Sequence, residues 1–435
     1  MFSTFKGGIT PPHRKNLTEN RNIENLPIPQ ICYIPMQQHT GAPSEIIVQK
    51  GDIINEGQLI GAARDKLSAN IHATVPGKVI DIGEYPAVNG VQSTVVIEAE
   101  GAFTTTGSSS VVNDWRKLDN NVLLEMVRDA GVVGMGSIPV PVSEKLADGL
   151  KKNVHTLIIN GAESEPYLTA DDMLMKTYPL EIIEGIHIVL KITGIKKAFI
   201  GIEDNKKESI KELKNTLKQT DPEGIITVKR LRTKYPQGAE KLLVYSILGI
   251  TVPLHTGTSD SGIIVFNVAT IYAIREAVLF NKPLIDRYIT VSGSMINRPG
   301  NYKVRIGTKI SDIIEECGGF NAEPFKIVMG GPMRGSAIQS MDIPVVKGTT
   351  GVLFLSEKEV GTENSDPCIR CGRCVSACPA GLIPGEIAGA SEIKRFDLIN
   401  RIHLSACIMC NCCSYVCPSK RPLSYLIQMA RDNTQ

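Results

Sequence analysis

Two copies of one cysteine pattern lie near the C-terminus of the chain. The stretches CIRCGRCVSACP (368–379) and CIMCNCCSYVCP (407–418) both follow C-x2-C-x2-C-x3-C-P. A structural zinc site would need two C-x2-C pairs separated by a longer spacer, and a disulfide framework would need a short secreted chain. Eight thiolates at this spacing therefore predict two [4Fe-4S] clusters.

The repeat also predicts which cysteines share a cluster. In two-cluster ferredoxins the fourth cysteine of each run binds the other cluster. The predicted ligand sets are Cys368, Cys371, Cys374 and Cys417 for the first cluster, and Cys407, Cys410, Cys413 and Cys378 for the second. Cys412 offers a second register in CIMCNCC, but only the register through Cys413 has the spacing of the first copy.

Composition limits the functional class. The 435 residues allow about three domains, and Lys+Arg of 47 against Asp+Glu of 45 gives +2, which favours neither a nucleic acid nor an anionic membrane as partner. The longest apolar-rich run, 263–274, is shorter than the roughly 20 residues of a membrane span, and the N-terminus lacks the apolar core of a signal peptide. We expect a cytoplasmic chain without a transmembrane segment of its own.

Residues 44–100 contain short β-branched runs separated by glycine turns, which predict an all-β unit. The frame V-x2-G-D-x4-G-Q followed by A-x-V-x-G-x-V resembles the barrel of biotinyl and lipoyl carrier domains. Lys66, eleven residues before Gly77, occupies the place of their modified lysine, but its flanks are Asp65 and Leu67 where a biotin carrier has methionines. We expect an unmodified barrel-sandwich domain within residues 1–103.

A polar linker, 104–110, precedes alternating strands and helices. Strands are predicted over 154–161, 197–203 and 224–231, with amphipathic helices over 181–194 and 207–220. This alternation predicts a largely parallel sheet covered on both faces.

Three loops of this unit follow strands or precede helices, where parallel sheets bind ligands. The loop 131–146 is rich in glycine and includes Lys145, as a phosphate site requires. The acidic loop 160–172 follows a buried strand, and by itself it is also consistent with a solvated helix cap. The loop 235–243 has a glycine before a helix.

These loops resemble, in the same order, those of the flavin-binding subunit of respiratory complex I. Its Phe-Pro-x-Gly-x-Lys, Asn-x-x-Glu-Ser-Glu-Pro and Asn-Val-x-Thr motifs are matched by Val140, Pro141, Lys145, Asn160, Glu163, Ser164, Glu165, Pro166, Asn267, Val268 and Thr270. The family's Gly-Arg-Gly-Gly-Ala-Gly is replaced by Gly134-Met135-Gly136-Ser137-Ile138-Pro139, and its Gly-Glu-Glu by Gly238-Ala239-Glu240.

The resemblance implies an FMN site with NAD(H) beside it, against the loop 134–140. It implies that Lys145 neutralises the FMN phosphate and that Asn160, Glu163 and Glu165 line the isoalloxazine side. The implied cofactor-binding set is Gly134, Gly136, Lys145, Asn160, Glu163, Ser164, Glu165, Gly238, Glu240, Asn267 and Thr270.

The remaining segments complete a multidomain α/β and α+β chain. Residues 284–345 resemble the β-grasp module of the same complex I subunit, and their GGPMRG motif is interpreted as a tight turn. Apolar residues between Cys378 and Cys407, including Ile387, Ile393, Ile399 and Ile402, predict a helical insert. The predicted domains are the barrel (1–103), the FMN domain (115–280), the β-grasp domain (284–345) and a helical two-cluster ferredoxin domain (358–435).

This domain order, together with FKGGI and MQQHTGAP near the N-terminus, resembles the RnfC family of the Rnf complex. The resemblance implies a peripheral subunit on the cytoplasmic side of a membrane-bound ferredoxin:NAD+ oxidoreductase that moves Na+ or H+. Its implied partners are integral membrane subunits, a ferredoxin-like iron-sulfur subunit and, indirectly, ferredoxin. A flavin is required between NAD(H), which carries an electron pair, and clusters that carry single electrons.

Three alternatives remain open from the sequence. Cobalamin reductases have similar parts but place the barrel after the cluster region, and soluble diaphorase-type subunits are not expected to have the N-terminal barrel. A flavin-free iron-sulfur relay is the third alternative, because the glycine loop departs from the flavin-subunit pattern.

Overall fold

The computed structural model describes residues 3–101, 112–136, 138–361, 364–399 and 403–434. The predicted linker at 104–110, Ser137 of the glycine loop and Ile402 of the helical insert lie outside the described residues. No helix among these ranges is both long and apolar enough to cross a membrane.

The N-terminal region forms two small antiparallel sheets that pack around one apolar core. Its strands are β1 (Ile23–Asn25), β2 (Ile31–Pro35), β3 (Glu45–Ile46), β4 (Ile53–Ile54), β5 (Leu59–Ala62), β6 (Ile71–His72), β7 (Gly77–Ala87) and β8 (Gly90–Ala99). The sheet orders are β2-β8-β7-β4 and β3-β5-β6, and Cys32, Ile34 and Ile97 are buried between them. Lys66 is exposed on the turn between β5 and β6. The predicted all-β character is confirmed.

The second region is a four-stranded parallel sheet with helices on both faces. Its elements are α1 (Asn120–Asp129), α2 (Val142–Lys151), β9 (Thr156–Gly161), α3 (Ala170–Thr177), α4 (Pro179–Thr193), β10 (Ala198–Glu203), α5 (Lys207–Thr220), β11 (Ile226–Leu231), α6 (Glu240–Leu248), β12 (Ile263–Asn267) and α7 (Val268–Phe280). The strand order is β11-β10-β9-β12, and every pairing is parallel. The central strands are apolar because both faces are covered.

The third region is a six-stranded mixed sheet that recruits strands from outside the predicted range. It contains β13 (Asp286–Ser292), β14 (Gly300–Arg305), α8 (Ile310–Glu316), β15 (Lys326–Met329), β16 (Ser336–Ile338) and β17 (Gly351–Leu355). The order is β1-β14-β13-β17-β15-β16. Strand β1 lies within the predicted barrel range, yet it pairs in parallel with β14 at the sheet edge.

The C-terminal region consists of short helices that flank the cysteine loops. They are α9 (Glu357–Val360), α10 (Arg373–Ala377), α11 (Pro384–Glu392), α12 (Phe396–Ile399), α13 (Cys412–Tyr415) and α14 (Leu423–Asp432). The packing of α11 against α14 buries Ile387, Leu423 and Ile427. Helices α11 and α12 form the predicted insert between the cysteine runs, interrupted at Lys394, whose φ is 55°.

One buried lysine joins the first three regions. The Nζ atom of Lys347 donates to the carbonyl oxygens of Asn70 (2.6 Å) and Gly131 (2.7 Å), and its backbone N–H donates to Oε1 of Gln38 (3.0 Å). The side chain is 1% exposed, and this burial lowers the pKa of Lys347 to about 7. The barrel, the parallel-sheet region and the β17 connection therefore meet at one ammonium group.

Replacing this lysine should change how stability depends on pH. Between pH 7 and the ordinary lysine pKa of 10.5, the unfolded chain holds a proton that folded Lys347 has lost, so this group's contribution to stability rises with pH. The rise is at most about 1.4 kcal/mol per pH unit. We expect calorimetry from pH 7 to 9 to show the wild-type unfolding temperature rising relative to that of Lys347→Met. A constant difference across that range would contradict the assignment.

Candidate functional site

A cleft of about 1090 Å³ opens at the carboxyl edge of the parallel sheet. Eight predicted cofactor-binding residues line it: Gly134, Gly136, Lys145, Asn160, Gly238, Glu240, Asn267 and Thr270. They come from four separate segments, which the sheet brings to one edge because its strands all run in the same direction. The volume is at the upper end of the range for ligand sites in proteins.

Two asparagines mark this edge on neighbouring strands. Asn160 and Asn267 are register partners at the ends of β9 and β12. The Nδ2 atom of Asn160 donates to the carbonyl oxygen of Gly238 (2.9 Å), which holds the loop before α6. The Oδ1 atom of Asn267 accepts the backbone N–H of Ala269 (2.8 Å) and so caps α7. Both amides are thus fixed in orientation at the floor of the cleft.

The glycine loop is folded back on itself beside these amides. The backbone N–H of Gly134 donates to the carbonyl oxygen of Val140 (2.8 Å), and that of Met135 donates to Oγ1 of Thr270 (2.9 Å). A Cβ atom on Gly134 would lie 2.8 Å from the carbonyl oxygen of Ile138, so a larger residue would open the turn. The sequence identified Thr270 as a ligand-contacting residue, and the structure gives it the further role of holding this loop.

Lys145 and Glu240 form an ion pair within the cleft. The Nζ atom of Lys145 lies 3.1 Å from Oε2 of Glu240 and 5.5 Å from the ring centroid of Phe266. The hydroxyl of Thr258 also donates to Glu240. A phosphate that binds Lys145 must therefore compete with a carboxylate that already has two partners.

Glu163, Ser164 and Glu165 lie outside the cleft lining, which differs from the expectation that both glutamates line the isoalloxazine side. The carboxylate of Glu163 accepts the backbone N–H groups of Asp171 (2.7 Å) and Asp172 (3.4 Å) at the start of α3. The open alternative of a helix cap thus describes Glu163, although the residue is buried, not solvated.

Glu165 and Ser164 hold neighbouring loops together. One carboxylate oxygen of Glu165 accepts the backbone N–H of Met333 (3.0 Å) and the other accepts the Tyr235 hydroxyl (3.4 Å). The hydroxyl of Ser164 accepts the backbone N–H of Gly238 (3.3 Å). Burial raises the pKa values of Glu163 and Glu165 to about 7. These residues shape the cleft from behind.

The opposite wall of the cleft comes from segments that the sequence reasoning did not assign to this site. It includes Phe5, Lys6, Arg334, Pro379, Ala380, Gly381, Leu382, His403, Ala406, Cys407, Ile408, Met409 and Arg431. Their positions in the chain lie far from the flavin-like loops, and the FKGGI stretch was the single sequence signal for any of them.

The second predicted cluster set surrounds one small cavity. Cys378, Cys407, Cys410 and Cys413 all line it, so the fourth cysteine of the first run lies with the three of the second run. Cys412 lines it as well and is fully buried. Cavity and cleft share a wall that includes Cys407, Ile408 and Met409.

The first predicted set lies nearer the surface. Cys368 and Cys371 are exposed, whereas Cys374 and Cys417 are half-buried. Arg421, four residues after Cys417, interacts with the thiol of Cys368, which brings both ends of this set to one side of the domain. Within the described ranges, no three His, Cys, Asp or Glu side chains are gathered closely enough to hold a metal ion.

Four domain families match the chain in the predicted order. These are the RnfC barrel sandwich hybrid domain (3–102), the Nuo51 FMN-binding domain (127–276), the SLBB domain (288–337) and the 4Fe-4S dicluster domain (361–418). The predicted fold class and domain order are thereby confirmed.

Two similar proteins match most of the chain. The RnfC subunit of the proton-translocating ferredoxin:NAD(+) oxidoreductase complex of Clostridium ljungdahlii is 44% identical over 389 residues, covering 89% of this chain and 84% of that protein. The RnfC subunit of the Na(+)-translocating ferredoxin:NAD(+) oxidoreductase complex of Acetobacterium woodii is 40% identical over 395 residues, covering 91% and 88%.

A third relative and one solved structure are consistent with these matches. The RnfC subunit of the ion-translocating oxidoreductase complex of Rhodobacter capsulatus is 41% identical over 402 residues, covering 90% of this chain and 77% of that protein. A crystal structure of NAD+-reducing [NiFe]-hydrogenase in the H2-reduced state is similar in fold, with a TM-score of 0.54 at 16% identity, covering 88% of this chain and 80% of that one. The chain belongs to the RnfC family, whose members are subunits of the ion-translocating ferredoxin:NAD+ oxidoreductase, or Rnf, complexes.

Proposed function

We propose that this chain is the peripheral NAD(H)-oxidising and NAD(H)-reducing subunit of an ion-translocating ferredoxin:NAD+ oxidoreductase complex, with FMN and two [4Fe-4S] clusters as cofactors. One observation carries the proposal. The cleft at the sheet edge and the cavity among the second set of cysteines share the wall that contains Cys407. A flavin bound in the cleft would thus lie beside a cluster.

The cleft residues fit a flavin mononucleotide. The glycine loop brings backbone close to the cleft without side chains at Gly134 and Gly136, as approach to a phosphate requires. Lys145 supplies the positive charge, and the fixed amides of Asn160 and Asn267 supply oriented polar groups at the floor. FMN supplies the exchange between electron pairs and single electrons.

The cysteines fit two cubane clusters on the basis of their donor set. Four thiols, those of Cys378, Cys407, Cys410 and Cys413, face one cavity, which is the ligand number of a [4Fe-4S] cluster. The other four, Cys368, Cys371, Cys374 and Cys417, would bind the second. We assign the cavity set to the cluster nearer the flavin and the exposed set to the cluster farther from it.

This order gives each part of the chain a place in electron transfer. Hydride exchange with NAD(H) takes place in the cleft, beside the loop 134–140. Single electrons pass through the set of Cys378 and reach the exposed set of Cys368. That edge would face a ferredoxin-like iron-sulfur subunit, while integral membrane subunits hold the complex at the cytoplasmic face of the membrane and move the ion.

Purification under anaerobic conditions tests the proposal as a whole. We expect the chain to bind about one FMN and eight irons, to catalyse NADH-dependent dye reduction, and to co-purify with integral membrane subunits when isolated from its own cells. Eight irons without flavin at any stage would instead support the flavin-free relay. Full flavin and iron without membrane partners would support a soluble diaphorase.

Charge reversal at Lys145 should weaken FMN binding. The variant Lys145→Glu removes a charge-assisted bond to the phosphate, worth about 1.5–3 kcal/mol, and places a carboxylate beside Glu240. We expect FMN affinity, measured by fluorescence titration of the flavin-depleted protein, to fall by at least about tenfold. The control Lys151→Glu changes an exposed lysine of the same helix and should bind FMN normally. Unchanged affinity in Lys145→Glu would place the phosphate elsewhere.

Two serine variants distinguish the registers of the second cysteine run. Cys412 and Cys413 line the same cavity, so the choice of ligand rests on the spacing of the first run. We expect Cys412→Ser to keep about eight irons per chain and the EPR signals of both reduced clusters. Cys413→Ser should lose one signal and about four irons, because it removes a ligand. The reverse result would assign Cys412 as the ligand.

A further inference from the structure

The first residues of the chain connect the flavin-like domain to the cluster domain. We call residues 3–18 the N-terminal strap; it contains the motif FKGGITPPHRK. Ser3 pairs with Leu231 at the end of β11. Ile9 and Tyr235 exchange two backbone hydrogen bonds, N–H to O distances of 2.8 and 2.9 Å. The strap therefore lies as an added strand segment along the loop before α6.

The other side of the strap contacts the cysteine that crosses between the two clusters. The backbone N–H of Gly8 donates to the carbonyl oxygen of Ala377 (2.8 Å). A Cβ atom on Gly7 would lie 2.6 Å from the carbonyl oxygen of Cys378, and one on Gly8 would lie 2.6 Å from that of Tyr235. Both glycines have a φ of 75°, where other residues are strained. Only a pair of glycines fits between these two backbones.

A buried lysine fixes the far end of the strap. The Nζ atom of Lys15 donates to the carbonyl oxygens of Glu163 (2.9 Å), Glu165 (3.1 Å) and Leu168, and the side chain is 6% exposed. The carbonyl oxygen of His13 accepts the backbone N–H of Tyr167 (2.9 Å). The strap is thus attached to the loop that follows β9.

The strap also borders the cleft itself. Phe5 and Lys6 line the cleft, and the Nζ atom of Lys234 donates to the carbonyl oxygen of Phe5 (2.9 Å) while lying 4.6 Å from its ring centroid. Within four residues, the chain passes from the cleft wall to the backbone of Cys378. No other segment among the described residues is needed to connect the two over this distance.

We infer that the N-terminal strap is a positioning element that holds Cys378 and its cluster at a fixed separation from the flavin cleft. This inference rests on the proposed function. NADH delivers two electrons and a proton as hydride to the bound flavin and leaves as NAD+. The reduced flavin then passes its two electrons singly to the cluster and releases its protons to solvent. The strap acts on the second step, because its contacts lie between the two centres.

Gly7→Ala tests the inference directly. The added methyl group clashes with the backbone of Cys378, so the cluster loop must shift. Displacements of about 1 Å can cost a reaction roughly 100-fold in rate. In anaerobic stopped-flow experiments with NADH, we expect flavin bleaching to stay within about twofold of wild type, while cluster reduction slows at least about tenfold. Amide hydrogen exchange should rise in peptides covering 3–12 and 376–383.

Gly224→Ala is the matched control. Gly224 also has a positive φ, 68°, but a Cβ atom there would meet no atom within 4 Å. Its backbone strain is therefore similar, and it has no contact with the strap or the cysteines. We expect wild-type cluster reduction and wild-type exchange in both peptides.

A milder pair of variants covers the case in which Gly7→Ala loses its clusters. Ile9→Ala shortens a buried side chain that packs with Tyr235, Ala377 and Cys410, and Ile71→Ala does the same in the barrel core. Slower cluster reduction in Ile9→Ala alone supports the inference. Wild-type cluster reduction and exchange in both strap variants would overturn it. A wild-type protein whose flavin is not reduced by NADH would instead refute the proposed function, and the exchange data would still decide the role of the strap.

Discussion

The loop that follows β9 is organised around one buried ammonium group, and the geometry of the cleft depends on it. Lys15 donates to three backbone carbonyl oxygens of this loop and lies 3.8 Å from the carboxylate of Glu163. These acceptors replace the water that a buried ammonium loses. Glu165, held in the same loop, binds the backbone of Met333, which in turn accepts a hydrogen bond from Asn411 of the second cysteine run. One ion thus relates the flavin-like domain to the clusters.

Local patterns in the sequence predicted the parts that depend on local physics. Alternating strands and helices predicted the parallel sheet, because buried strands must be apolar and amphipathic helices must cover them. The strand order could not be read from the sequence, but the meeting of Asn160 and Asn267 at one edge follows from parallel strands. The cysteine spacing predicted ligand sharing, and Cys378 does lie with the second run.

The remaining features depend on contacts between distant segments. Glu163 and Glu165 follow a strand and look like cleft residues, yet burial against the N-terminal strap and the loop at Met333 gives them other partners. Strand β1 lies in the predicted barrel range but extends the third sheet, because an edge strand needs only a free partner, here β14. Nothing in the periodicity of such short segments specifies their partner.

Electron transfer from NADH through FMN to the cluster beside Cys407 is tested most directly by a reduction experiment with and without flavin. The purified chain would be mixed anaerobically with NADH, and cluster reduction would be followed by EPR before and after FMN is removed and restored. We expect NADH to reduce the clusters only when FMN is bound, with reduction recovered on adding FMN. Cluster reduction by NADH at the same rate in flavin-free protein would contradict this electron path.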